Sequence, residues 1–245
     1  MGLIEFLIYI LRRIFLPNSI KTMELQMFFL LNRDRRRNHL KSLFFQDDLS
    51  YVARKHSKDM AKKDYFEHEN SSGHSHVDRY KIERITEVTS GENLAKIGGY
   101  PLPVHRAEIG LMNSPGHRAN ILNDSYNCVG IGVHKSEKKV YYFTQNFAYR
   151  PLIFLGKIPE KIKVNKGINL VFKPAERVLT GIYRIKSGKE VVREKNFKIL
   201  EEKNILKIPF SETGLYSIEI FTNLKGSTKF NLSNSFQLRV GSGWF

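Results

Sequence analysis

Pro151 divides the chain into two textures. Up to Tyr149, apolar residues recur at helical spacing or gather into short β-prone runs; beyond Pro151 the helical period is gone. The second part is a succession of short strand-like segments: KIKV at 161–164, INLVF at 168–172, TGIYRI at 180–185, VVREKNFKIL at 191–200, NILKIPF at 204–210, LYSIEIF at 215–221, KFNL at 229–232 and FQLRV at 236–240. Short strands at roughly 8–12-residue spacing, separated by turn residues such as KSGKE, predict a β-sandwich of the Ig-like kind. Tyr216 opens one of these strands, with Ile218 and Ile220 on the same face. It stands where a tyrosine corner sits in such a sandwich, and an ordinary half-buried strand accounts for the same spacing.

The first part reads differently. Residues 23–41 place apolar side chains at helical spacing with a charged face, on which the run Arg33-Asp34-Arg35-Arg36-Arg37 forms solvated surface. A second helix begins after Asp47 and Asp48, which supply N-cap chemistry; Leu49, Val52, Ala53, His56 and Met60 mark its inner stripe, and it fades near Asp64. HENSSGHSH at 68–76 is loop chemistry. A short helix starts at Pro103 and stops before Ser114-Pro115-Gly116. VGIGV at 129–133 and VYYFTQNFAY at 140–149 read as a hairpin. Helices followed by paired strands predict an α+β fold, a three-layer α-β-α domain over 23–150, then the all-β domain over 151–245.

Residues 1–22 stand apart. GLIEFLIYILRRIFLP is apolar, yet Arg12 and Arg13 come after the apolar core instead of preceding it, Glu5 lies inside, and the run has no A-x-A-like cleavage site behind it. An interfacial helix, an atypical uncleaved anchor or signal, and a helix packed on the domain are all open. The single cysteine, Cys128, excludes an intramolecular disulfide and a cysteine-rich zinc site. The net charge is +16, of which +7 falls in 1–150 and +9 in 151–245. A surface this basic suits anionic partners, namely a membrane surface or an envelope polymer, and also serves solubility. Neither a P-loop nor any zinc-finger or RNP-type motif directs that charge to a specific nucleic acid.

Four separated pieces of the first part line up: the helix A-R-K-H-S-K-D-M-A with the tail ending at His68; G-E-N-L-A at 91–95; L-M-N-S-P-G-H-R-A-N-I-L at 111–122; and V-G-I-G-V with Y-Y-F-T-Q-N-F at 141–147. Their order and spacing resemble the CAP superfamily (cysteine-rich secretory, antigen 5 and pathogenesis-related-1 proteins; SCP-like) in a cysteine-poor prokaryotic form, over residues 24–149. The resemblance implies an α-β-α sandwich whose cleft is lined by two histidines and two glutamates able to hold a divalent metal such as zinc. Carried over by position, His68 matches the first histidine and Glu92 the glutamate of the G-E-N motif. The second glutamate falls on Ser114, the second histidine of the eukaryotic pattern on Tyr142, and His117 is the histidine of the prokaryotic pattern. Asn93, Arg118 and Gln145 are expected in support.

His68, Glu92 and His117 have the residue types of a three-ligand metal site with an open position. They are widely separated in sequence, so no local motif fixes their geometry. Each also has a structural use: Glu92 bonding a histidine, Asn93 and Gln145 bonding loops, Arg118 pairing with an acid or a helix-end carbonyl. His74 and His76, with His68, form a candidate second cluster. Ser114, His117 and Glu92 have the types of a serine-hydrolase triad, but no G-x-S-x-G elbow surrounds Ser114. The incomplete acid set favours a non-enzymatic protein at the cell surface or outside the cell that binds an envelope component, a lipid or a protein. A metal-dependent hydrolase using His68, Glu92 and His117, and a lipid or sterol binder, are the alternatives.

Overall fold

The structure, a computed structural model, describes residues 19–175, 178–224 and 227–243. The apolar run at 1–18 lies outside these residues. By packing, the chain forms two units, one of the residues up to Tyr80 with Ser90–Phe147, the other of Lys81–Thr89 with Ala148 onward. The segment 81–89 thus belongs with the second unit, although it lies within the sequence span of the first.

The first unit is built on a four-stranded sheet, order β1-β3-β4-β2, from β1 (Phe44–Phe45), β2 (Thr89–Ile97), β3 (Cys128–Lys135) and β4 (Tyr141–Tyr149). Helices α1 (Ile20–Arg37), α4 (Pro103–Asn113) and α5 (Pro115–Ile121) cover one face. Met27 and Leu31 of α1, Val104 and Leu111 of α4 and Ile121 of α5 pack there with Val129, Ile131, Val133, Phe143 and Phe147. Helix α2 (Asp47–Lys63) covers the other face. It comes close because Gly130 and Gly132 alternate with those valines and isoleucines: a Cβ on either would lie 2.2 Å from backbone atoms of α2. The G-I-G spacing is therefore a docking groove for a helix, since successive strand residues face opposite sides. The short α3 (His76–Ile82) closes the segment that the composition marked as loop.

Local chemistry explains where the boundaries moved. Helix α1 starts at Ile20 because the Ser19 hydroxyl accepts from the Thr22 amide, and it ends at Asn38, before the left-handed His39 (φ 59°). Arg35 is not solvated surface: it turns inward and donates to the carbonyls of Lys41, Ile121 and Asn123 at 2.7–2.8 Å. The N-cap of α2 is Gln46, and Asp47 and Asp48 occupy the first turn, where they favour the positive end of the helix. Ser114 joins two helices instead of ending one, so His117 belongs to the first turn of α5.

The second unit pairs a three-stranded sheet, order β10-β7-β5, with a five-stranded sheet, order β6-β12-β11-β8-β9. The strands are β5 (Leu152–Phe154), β6 (Lys161–Lys163), β7 (Ile168–Pro174), β8 (Val178–Ser187), β9 (Glu190–Lys198), β10 (Asn204–Ile208), β11 (Gly214–Leu224) and β12 (Asn231–Gly241). One core fills the space between, with Leu170, Phe172, Ile185, Ile218, Ile220 and Leu238 at its centre. The Tyr216 hydroxyl donates to the carbonyl of Glu212, four residues upstream, at 3.2 Å. That is the hydrogen bond of a tyrosine corner, and the ring meets Phe210 at 5.1 Å.

Candidate functional site

Strand β2 is an edge strand, and its alternation sends Glu92 and Leu94 toward α2 and Asn93 to the opposite face. Glu92 is buried, and both of its oxygens are taken: Oε1 lies 2.9 Å from Nδ1 of His68, and Oε2 accepts from Nη2 of Arg79 on α3. The other terminal nitrogen of Arg79 donates to the carbonyls of His68 and His74, each at 2.8 Å. One guanidinium thus neutralises the buried carboxylate and pins the loop that carries His68, as a buried charge requires. Burial works to raise the Glu92 carboxyl, but the hydrogen bonds from His68 and Arg79 and the charge of Arg79 hold it below its ordinary range. The hydrogen bond to Glu92 raises His68 in return, while the outer part of its ring stays exposed.

Two more histidines border this centre. His56 of α2 is fully buried; its Nε2 lies 3.0 Å from the Glu67 carbonyl and its Nδ1 has no hydrogen-bond partner among the described residues. Burial pushes it down to about 4, so the ring is neutral at physiological pH. His76 sets Nε2 3.2 Å from the Ser90 hydroxyl, with its ring edge on Tyr80. His74 takes part through its backbone, which leaves G-H-S-H dispersed between separate partners.

Across the sheet, a polar chain runs through the core. Asn120 of α5 donates to Asn93 Oδ1 at 2.9 Å, Asn93 donates to Gln145 Oε1 at 3.1 Å, and Gln145 donates to Glu108 Oε2 of α4 at 2.9 Å. Asn93 also donates to the His117 carbonyl at 3.0 Å, which ties α5 to the edge of β2. Glu108 is buried with Oε1 unpartnered among the described residues, and burial, helped by Asp34, pushes its carboxyl up to about 8. The chain of amides therefore ends on a neutral acid.

His117 is half-buried, and its ring is lowered by burial and by the neighbouring charge of His68. Arg118 is exposed on α5. Ser114 makes no side-chain capping bond, and Glu92 binds His68 and Arg79 instead of His117, so the Ser114–His117–Glu92 order of a hydrolase triad is not assembled. Tyr142 lies on the α2 side of the sheet, the side that Glu92 also faces. Its ring packs with Met60 and Leu94, the Lys96 ammonium lies 5.0 Å from the ring centre, and the hydroxyl is 3.4 Å from Asp64 Oδ1.

These contacts bear on the metal that the resemblance implies. A hydrolytic zinc centre takes about three protein ligands and an open position. With the Glu92 carboxylate held between a histidine and a guanidinium, the expected set keeps two donors, His68 with an exposed side chain and the half-buried His117, where such a centre asks for three. Among the described residues, no group of three or more His, Cys, Asp or Glu side chains is disposed to hold a metal ion. This donor set does not fit that centre.

Arg79, Asn120 and Glu108 are the residues that sequence reasoning missed. For Arg79 a signal existed: a glutamate that is buried needs a counter-charge, and V-D-R-Y offers one near the loop.

A family model for CAP, the cysteine-rich secretory protein family, matches residues 28–147. An uncharacterized protein of Bacillus subtilis, YkwD, is 38% identical over 120 residues, 49% of this chain and 46% of that protein. An uncharacterized membrane protein of the same organism, YlbC, is 34% identical over 131 residues, 53% of this chain and 35% of that protein. The chain thus spans less than half the length of either relative. An outer surface protein of Borrelia burgdorferi shares the fold at a TM-score of 0.50 and 19% identity, over 54% of this chain and 96% of that one. Together with the α-β-α layering and the G-E-N and S-P-G-H-R segments at one strand edge, these matches make residues 28–147 a CAP domain of the cysteine-rich secretory protein family.

Proposed function

We propose that this CAP-domain protein works at the cell surface or outside the cell by binding an envelope component, through His68 and His117 and through its basic surface. The observation that carries the reading is the closed charge balance of Glu92: Arg79 and His68 satisfy both oxygens, so the carboxylate is spent on structure, while the His68 side chain stays exposed and His117 half-buried. Two imidazoles offer hydrogen bonds and a titratable positive charge, the equipment for holding an anionic or hydroxyl-rich ligand. Hydrolysis would ask Glu92 to serve as ligand or base, and its two oxygens are engaged. The net charge of +16 agrees with an anionic partner. The similarity to a protein named as a membrane protein agrees with the location. Among the described residues no helix is long and apolar enough to cross a membrane.

The test is co-sedimentation of the purified full chain with isolated cell envelopes. The chain is expected in the pellet, with retention falling several-fold in a His68→Ala/His117→Ala variant. A chain that stays in the supernatant at low salt refutes the reading.

A further inference from the structure

The second unit carries a basic pocket on the outer face of its five-stranded sheet. Arg239 of β12 stands in register with Lys161 of β6 on one side and Leu215 of β11 on the other. Their neighbours Tyr216, Leu238 and Val240 point into the core, so this row points outward. Arg84, from the segment 81–89, lies across the row and donates through Nη2 to the Gln237 carbonyl at 3.1 Å. Arg84, Glu160, Lys161, Leu215, Gln237 and Arg239 line the pocket, three cations against one carboxylate.

Two further observations separate this pocket from ordinary basic surface. Arg84 has a left-handed backbone (φ 58°), a conformation that a side chain of this kind adopts at a cost. Its Nη1 is also shielded from water with no hydrogen-bond acceptor among the described residues. A buried donor without an acceptor is uncommon in a folded protein. Strain and an unsatisfied donor meet at Arg84, which the segment lays over the sheet.

We propose that this pocket binds the phosphodiester groups of a polyol phosphate chain. Guanidinium groups match phosphate oxygens in geometry and charge, and a cluster of cations favours phosphate over a neutral sugar. The lining also contains a carboxylate and an exposed leucine. Glu160 accepts hydrogen bonds from the hydroxyls of a polyol, and Leu215 packs on its carbon skeleton, contacts for which a simple inorganic anion has no counterpart. The proposal rests on the reading of the protein as an envelope binder and adds a second, chemically distinct contact to the one proposed at His68 and His117.

The experiment is isothermal titration of the full chain with poly(glycerol phosphate), beside polyglutamate of equal charge. Binding of the phosphate polymer is expected, weakening as salt rises. An Arg84→Gln/Arg239→Gln variant should lose at least about tenfold in affinity, while Lys195→Gln, on the far edge strand, should bind as the wild type does. If Arg84→Gln impairs folding, Arg239→Gln alone, at an exposed position, carries the comparison. Wild-type binding unchanged in the variants overturns the pocket and leaves the envelope reading standing. Equal binding of polyglutamate overturns the phosphodiester. A chain that sediments with envelopes but ignores the phosphate polymer also overturns this inference, and a chain that does neither removes the envelope reading as well.

Discussion

Arg79 and Glu92 form a buried ion pair in which the guanidinium does two jobs, neutralising the carboxylate and holding the carbonyls of His68 and His74. Removing either partner strands the other in a low-dielectric site. Arg79→Met is expected to cost about 3–5 kcal/mol and Glu92→Gln somewhat less, because Gln still accepts a hydrogen bond. The double variant should cost clearly less than the sum, a coupling that urea unfolding of all four proteins measures. Additive losses would mean that the pair is not a unit.

The histidines of the site should titrate apart. NMR titration is expected to place His68 above the ordinary histidine range, because of its bond to Glu92, and His117 below it, because of burial and the charge of His68. A raised histidine stabilises the fold fully below its unfolded pKa, and that contribution is lost as pH rises through the folded value. Glu92→Gln should return His68 toward its ordinary range. A His68 midpoint indifferent to that substitution would contradict the hydrogen bond.

His56 gives the opposite dependence on pH. Held at about 4 by burial, it stays neutral in the fold while the unfolded chain takes up a proton near pH 6.5. Stability should therefore fall as pH drops from 6.5 toward 4, by up to about 3 kcal/mol from this group. His56→Gln should flatten that decline in a series of urea unfolding curves. An unchanged slope would place the acid sensitivity elsewhere.

Glu108 is protonated in the fold at neutral pH, with Asp34 and Arg33 of α1 as the charged groups acting on it. Because its folded value is raised to about 8, the fold loses stability as pH climbs from the ordinary carboxyl range to that value. Glu108→Gln keeps an acceptor for Gln145 and removes the ionisation. It should raise stability near pH 8, by an amount on the order of a few kcal/mol, and leave it unchanged at pH 4. Equal melting temperatures at about pH 8 would refute the neutral acid.

Much of this architecture was legible in the residues. The alternation in V-G-I-G-V announced a strand, and its glycines sit against α2; Pro103 opened a helix where fixed φ is tolerated; and Tyr216 stood at a strand start that became a tyrosine corner. Boundaries set by side-chain capping moved: Ser19 starts α1 a few residues earlier than periodicity placed it, because a hydroxyl cap leaves no trace in the apolar pattern. The site was half legible. The pairing of His68 with Glu92 was one of the uses their types allowed, whereas Arg79 and Glu108 look like surface charges in sequence and are buried only because partners far along the chain meet them. Tyr142 packs its ring on Met60 and Leu94, on the same α2-facing side of the sheet as Glu92.

The Glu92 carboxylate is engaged as an internal counter-charge, and the central proposal built on it is that His68 and His117 serve ligand binding without a resident zinc ion. Isothermal titration of the full chain with zinc, beside His68→Ala and His117→Ala, tests this most directly. Weak heats, the same in all three proteins, are the expected result. Wild-type binding below about a micromolar dissociation constant, lost in both variants, would contradict it.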